Sequence, residues 1–148
     1  MIISMVRKSG ASQEILLIED NLGDVVLVRE ALKEVSINVR LNVVEDGLQA
    51  MDYLQRKGSY RTASVPDLIL LDINLPKKNG MEILKEIKDD PKLRHIPIVV
   101  LTTSRSDKDI VKTYGLGASC FVSKPIGYSE FMESVRSVVQ NFLPKKPA

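Results

Sequence analysis

The chain has 148 residues, 44% hydrophobic and 27% charged, which is typical of a globular protein and excludes extensive disorder. Its 21 lysine and arginine residues and 19 acidic residues give a net charge of +2. Four basic residues lie in the terminal segments, and without them 17 basic residues stand against 19 acidic ones, a net charge of −2. The body of the chain therefore gives no support to nucleic-acid binding.

Five segments are predicted to be β-strands. Three are uninterrupted apolar runs of four residues between polar neighbours, typical of parallel strands covered on both faces, and two are weaker. In chain order they are Ile15–Ile18, Asn38–Val44, Leu68–Leu71, Ile98–Leu101 and Ser119–Val122. No apolar run is long enough to span a membrane, and no signal peptide is evident. We therefore expect a cytoplasmic protein that does not contact membranes.

Helices are predicted between these strands and after the last one. Apolar residues recur every three or four positions after the first strand and near the C-terminus. A capping residue followed three positions later by a polar residue marks helix starts at Asp46, Asn79 and Ser104. Five strands alternating with five helices predict a doubly wound α/β domain with a parallel sheet. We place it at residues 14–143, with flexible tails at residues 1–13 and 144–148.

Polar side chains follow four of the predicted strands. Glu19 and Asp20 come after the first strand, Asp72 after the third, Thr102 after the fourth and Lys124 after the last. Functional sites in doubly wound sheets form where the carboxyl ends of parallel strands meet. We therefore expect three carboxylates, a hydroxyl and an ammonium to lie close together.

Each of these residues taken alone has a simpler explanation. Glu19 and Asp20 are also suitable polar residues of a strand-to-helix turn, with Asp20 or Asn21 as the helix cap. Thr102 is also a suitable helix cap, and Asp72 a suitable turn residue. Helix caps do not require a lysine at a strand end, so the combination favours a site. Clustered carboxylates repel one another and attract a cation, for which Mg²⁺ with its oxygen ligands is suited. An ion, a hydroxyl and an ammonium around one carboxylate favour phosphoryl transfer to that carboxylate.

The motifs that carry these residues resemble the receiver domain of two-component response regulators. They are Ile15–Asn21, Asp67–Pro76 followed by Gly80–Glu82, Pro97–Thr103 and Ser123–Pro125. The resemblance extends from about Glu14 to Phe142 and implies a flavodoxin-like receiver fold with strand order 2-1-3-4-5. The connection Gly58–Pro66, the stretch Asp90–Pro97 and the ending Thr102–Ser104 are similar to single-domain, phytochrome-partner response regulators.

The resemblance also implies roles around a magnesium site. Asp72 is the expected phosphoacceptor and also a metal ligand. Asp20 is expected to bind Mg²⁺ directly, Glu19 to act on the ion through a water molecule, and Asn74 to contribute its backbone carbonyl.

Three further positions are implied to take part in phosphorylation or in the response to it. Thr102 and Lys124 are expected to contact the phosphoryl oxygens. Thr102 is then drawn inward and Phe121, at the aromatic switch position, fills the space it leaves. The Lys124–Pro125 peptide bond is expected to be cis.

The resemblance implies two partners. One is a histidine kinase, which the similarity to the phytochrome branch suggests is of the phytochrome type, and the other is a downstream protein or phosphotransfer partner. A homodimer through the predicted fourth helix, fifth strand and fifth helix is consistent with the resemblance, with Tyr114 and Phe142 contributing. We expect a stand-alone signalling protein with no enzymatic activity beyond self-phosphorylation and autodephosphorylation.

Two other functions stay open at this point. An aspartyl-phosphate phosphatase uses similar groups, but it needs an acid two residues after the nucleophile, where this chain has Asn74. A phosphorylation-independent interaction module would not need Asp72 and Lys124 together.

Overall fold

A computed structural model of the chain describes residues 12–35, 37–73, 75, 77–102, 112, 115–124 and 127–143. The five predicted strands form one parallel sheet in the order β2-β1-β3-β4-β5, which confirms the predicted topology. Their bounds are β1 (Gln13–Ile18), β2 (Val39–Val44), β3 (Leu68–Asp72), β4 (Ile98–Thr102) and β5 (Cys120–Ser123).

The described residues contain four α-helices and a single turn of 3₁₀-helix at Gly58–Tyr60. The α-helices are α1 (Leu22–Leu32), α2 (Gly47–Leu54), α3 (Gly80–Asp89) and α4 (Tyr128–Phe142). The predicted fourth helix, with its cap at Ser104, lies largely outside the described residues, so α4 corresponds to the predicted fifth helix. No helix among the described residues is both long enough and apolar enough to cross a lipid bilayer.

The sheet is covered by helices on both faces because its strands are apolar on both faces. Ile15 and Leu17 of β1 pack with apolar residues of α1 and α4, whereas Leu16 and Ile18 pack with those of α2 and α3. All four side chains are fully buried. Burying one such side chain stabilises the fold by about 1.5–3 kcal/mol. This two-sided core holds the strand ends in fixed positions.

Three helices begin at a side chain that accepts a backbone N–H. Asn21, Asp46 and Asn79 each accept an N–H from the first turn of the helix that follows, at 2.8–3.0 Å. The predicted starts at Asp46 and Asn79 are therefore confirmed. By contrast, α4 begins after Gly127, which has a φ of 111° and provides no side-chain cap. The capped helices α1, α2 and α3 start at the edge of the sheet where the polar residues gather.

Candidate functional site

Four strands bring the predicted site residues to one edge of the sheet. Glu19 follows β1 and is fixed by its N–H, which donates to the Val44 carbonyl at 3.0 Å. Asp72 is the last residue of β3 and Thr102 the last of β4. Lys124 follows β5, and its N–H donates to the Thr102 carbonyl at 2.8 Å. The register of the parallel sheet thus sets the arrangement of these side chains.

Three carboxylates form a compact group at this edge. One oxygen each from Glu19, Asp20 and Asp72 lies within 4.8 Å of the others. Glu19 and Asp72 are buried, at 1% and 4% exposure, whereas Asp20 is exposed. Such a group of hard oxygen donors, open to solvent on one side, is suited to a divalent cation.

The ammonium of Lys124 lies among these carboxylates. It donates a hydrogen bond to Oε1 of Glu19, and it lies 3.3 Å from Oδ2 of Asp72. A third carboxylate, Asp24 of α1, contacts it through Oδ2 at 2.9 Å. The lysine side chain is only 9% exposed, so water screens these contacts weakly.

The pKa values at the site reflect this crowding. Burial raises the pKa of Glu19, its hydrogen bond with Asp72 raises it further, and Lys124 offsets only part of the rise, so the pKa reaches about 8. Burial lowers the pKa of Lys124, but its hydrogen bonds to Glu19 and Asp24 outweigh this and raise it to about 12. The lysine therefore stays charged near neutral pH, whereas burial and the neighbouring Asp72 disfavour the charged form of Glu19.

Gly80 holds the start of α3 against the end of β3. A Cβ at this position would lie 2.7 Å from the carbonyl oxygen of Asp72 and 2.6 Å from Cα of Ile73. The Gly80 N–H also donates to the Ile73 carbonyl at 3.0 Å. Only glycine allows this close approach, which fixes the backbone on both sides of Asp72.

The remaining predicted residues divide into described and undescribed positions. Thr102 is 1% exposed at the end of β4, next to β3 in the sheet. Phe121 lies on β5, half-buried, with its register partner Val100 on β4. Asn74 and Pro125 lie outside the described residues, and with them the predicted carbonyl ligand and the predicted cis peptide bond.

Asp24 is a site residue that the sequence reasoning missed. It stands in the first turn of α1, where an acidic residue is ordinarily explained by the helix dipole. Its partner Lys124 is 100 positions away, so local spacing contains no signal for the contact. The topology of the sheet does indicate the contact, because β1 and β5 end at the same edge of the sheet and α1 begins directly after β1.

The fold and the site together define a class of protein. A five-stranded, doubly wound sheet with order 2-1-3-4-5 presents a buried aspartate between an acidic pair and a lysine at its carboxyl edge. This arrangement fits the receiver class that the sequence motifs predict.

Comparison with known proteins places the chain within that class. The response regulator receiver domain family matches residues 15–136, and the chain belongs to this family. The chain is 42% identical over 134 residues to the response regulator Rcp1 of Synechocystis sp., covering 90% of this chain and 91% of Rcp1. It is also 37% identical over 130 residues to the probable methanogenesis regulatory protein FilR2 of Methanothrix harundinacea, covering 87% of this chain and 83% of FilR2.

Solved structures agree with this assignment. The crystal structure of the phosphorylated cyanobacterial phytochrome response regulator RcpA superposes with a TM-score of 0.86 at 43% identity, covering 93% of this chain and all of that one. The Mn²⁺-bound form of Rcp1 gives a TM-score of 0.84 at 41% identity, covering 92% of this chain and 99% of that one. The predicted receiver fold and the likeness to phytochrome response regulators are confirmed.

Proposed function

We propose that Asp72 accepts a phosphoryl group from the phosphohistidine of a histidine kinase. The observation that carries this proposal is the position of Asp72 at the end of β3. Its Oδ2 is 3.3 Å from the Lys124 ammonium, and its carboxylate lies within 4.8 Å of those of Glu19 and Asp20. A nucleophile, a fixed cation and a place for a second cation are therefore adjacent. We assign this activity to a receiver domain at residues 14–143.

The donor set fits a magnesium ion. Among the described residues, one lysine faces the three carboxylates of Glu19, Asp20 and Asp72, and a divalent cation would offset their remaining negative charge. Asp20 and Asp72 are the direct ligands in this proposal, Glu19 acts through water, and Asn74 adds its carbonyl. When bound, the ion supplies positive charge beside the phosphoryl oxygens and draws them toward Asp72.

The residues of the chain then perform the transfer. A carboxylate oxygen of Asp72 attacks phosphorus in line, its O–P bond forms as the N–P bond of phosphohistidine breaks, and the imidazole leaves. Lys124 stays protonated because its pKa is about 12, and its ammonium binds the phosphoryl oxygens. Thr102, at the end of the adjacent strand, donates its hydroxyl to the same group.

Phosphorylation is proposed to change the surface around β5. The phosphoryl group adds about −1.5 to −2 charge at Asp72, which draws Thr102 inward. Phe121 lines a surface cavity of about 580 Å³ between β5 and α4, together with Val122, Ser123 and residues of α4 such as Glu130 and Glu133. Movement of the Phe121 ring would therefore reshape this face, which we propose as the contact for a downstream partner or a second copy of the chain.

The partner kinase is proposed from the relatives. RcpA is described as a cyanobacterial phytochrome response regulator, and a bacteriophytochrome response regulator superposes at 38% identity with a TM-score of 0.73. We infer that the kinase of this protein is of the phytochrome type. The proposed output is phosphorylation-dependent contact with a protein or onward phosphotransfer.

The test of this function is labelling by a small phosphodonor. Acetyl phosphate with Mg²⁺ is expected to add one phosphoryl group to the protein, read as intact mass, and Asp72→Asn is expected to abolish the adduct. Asp46→Asn is the matched control, because Asp46 is another buried aspartate near a strand end. Equal labelling of Asp72→Asn, or no labelling of the wild type, would contradict the proposal.

A further inference from the structure

Lys124 has one partner whose role the proposed function does not explain. Its ammonium has three N–H donors, and three carboxylates surround it: Glu19, Asp24 and Asp72. Glu19 and Asp72 belong to the carboxylate group that would hold the divalent ion, whereas Asp24 does not. In the proposed function, Glu19 would therefore also act on the divalent ion, and Asp72 would also bind the ion and accept the phosphoryl group.

Asp24 is fixed independently of the ion site. Its N–H donates to Oδ1 of Asn21 at 3.0 Å, which anchors the first turn of α1. Its side chain is 25% exposed, against 0% for Glu19 and 6% for Asp72. It therefore reaches Lys124 from the solvent side, on an element that need not move when the buried carboxylates change partners.

We infer that Asp24 is a positioning residue that holds the Lys124 ammonium at the sheet edge when Glu19 turns to the divalent ion. This inference rests on the proposed function and deepens it. Without the Asp24 carboxylate, Lys124 pairs more strongly with Glu19 and Asp72. The ion must then compete with the ammonium for those two side chains. Asp24 thus favours ion binding by acting on the lysine.

The test measures Mg²⁺ affinity by titration calorimetry on the full chain. Asp24→Asn keeps the size of the side chain and removes its charge, and it is expected to weaken Mg²⁺ binding by about threefold to tenfold, which lies in the lower half of the range of coupling between contacting side chains. Asp24→Glu, which restores a carboxylate, is expected to recover part of this loss. Glu30→Gln is the matched control, because Glu30 stands on the same helix as Asp24 but its carboxylate pairs with Lys33 instead of Lys124.

A double-mutant cycle separates positioning from general charge attraction. In a Lys124→Met background, Asp24→Asn is expected to leave Mg²⁺ affinity unchanged, because the residue through which Asp24 acts is gone. An equal weakening in both backgrounds would show that Asp24 acts only as a distant negative charge, and it would overturn the inference. So would unchanged affinity in Asp24→Asn alone.

The same proteins distinguish this inference from the proposed function. If acetyl phosphate labels the wild type but the cycle shows no coupling, the positioning role fails and the phosphoacceptor function stands. If the cycle shows coupling but Asp72 is never labelled, the phosphoacceptor function fails alone. Absence of Mg²⁺ binding by the wild type would overturn both.

Discussion

Glu19 and Asp46 are two buried acids beside neighbouring strands whose environments differ completely. They follow β1 and β2, are 1% and 5% exposed, and each contacts a lysine. The pKa of Asp46 is lowered, first by the hydrogen bond from the Gln49 N–H, although burial opposes this, and its ion pair with Lys77 lowers it further. Burial and the neighbouring Asp72 raise the pKa of Glu19 to about 8.

The difference separates an acid that caps a helix from an acid of the proposed ion site. The charge of Asp46 is stabilised by the N-terminus of α2, so it favours the folded state and needs no further partner. The charge of Glu19 is opposed by burial and by the carboxylate of Asp72, and Lys124 offsets this only in part. Burial together with a neighbouring like charge therefore distinguishes Glu19 from Asp46.

The largest expected effect comes from replacing the lysine that contacts each acid. Lys124→Met is expected to lower the rate of labelling by acetyl phosphate by about 100-fold, because a fixed cation beside the transferred group is lost. Mg²⁺ binding to the same variant is expected to tighten, since the carboxylates lose their internal cation. Labelling kinetics by intact mass and calorimetry measure the two effects.

Lys77→Met is the matched control for this exchange. Lys77 is 62% exposed and pairs with Asp46 at 3.4 Å, a contact that solvent screens. Its labelling rate and Mg²⁺ affinity are expected to equal those of the wild type. A similar loss of labelling in Lys77→Met and Lys124→Met would contradict the proposed difference between Asp46 and Glu19.

The next effect concerns the acids themselves. Glu19→Gln is expected to weaken Mg²⁺ affinity by about tenfold, a typical cost of losing a group that supports a metal through water. Asp46→Asn is expected to leave the affinity unchanged, because its carboxylate lies outside the group that would hold the ion. Calorimetry measures the Mg²⁺ affinity of both variants, and an equal loss of affinity in the two would contradict the proposed difference between Glu19 and Asp46.

A smaller effect is expected on stability. Asp46→Ala removes the cap of α2 and is expected to lower the free energy of unfolding by about 1 kcal/mol. Asp46→Asn should restore most of this stability, since asparagine caps helices equally well. Urea unfolding followed by circular dichroism measures the difference, and labelling at Asp72 should be the same in both variants.

The last comparison is the pH dependence of stability, to which the two acids are expected to contribute with opposite signs. The folded pKa of Asp46 is lowered from 3.8, so its stabilisation is present above that value and is lost as pH falls through the folded pKa. The pKa of Glu19 is raised from 4.5 to about 8 in the folded state, so its stabilisation is present below about pH 4.5 and is lost as pH rises toward 8. Asp46→Asn is therefore expected to flatten the loss of stability in acid, whereas Glu19→Gln is expected to flatten the loss of stability as pH rises from 4.5 to about 8, as urea unfolding across both ranges will show.

The sheet and most of the site could be predicted because each rests on a local pattern. Apolar runs such as Leu68–Leu71 fixed the strand positions, and a parallel sheet then brought Asp72 and Lys124 to one edge. β3 includes Asp72 itself, one residue beyond the predicted run, because its backbone continues the pairing with Leu101 of β4.

Two features of the site could not be predicted because they depend on distant groups. Glu19 and Asp46 look alike in the sequence, each an acid shortly after an apolar strand. The pKa of Glu19 is raised by burial and by Asp72, whereas that of Asp46 is lowered by the hydrogen bond from the Gln49 N–H. The contact between Asp24 and Lys124 could not be predicted for the same reason. The position of Asp24 explains a helix start, and only the approach of β5 reveals the contact with Lys124.

The most direct test of the central claim is to locate the phosphoryl group. After reaction with acetyl phosphate and Mg²⁺, borohydride reduces an aspartyl phosphate to homoserine, which peptide mass spectrometry identifies by position. The phosphoacceptor function predicts homoserine at Asp72 and unmodified aspartate at Asp20 and Asp46. Homoserine at another aspartate, or none in the wild type, would contradict it.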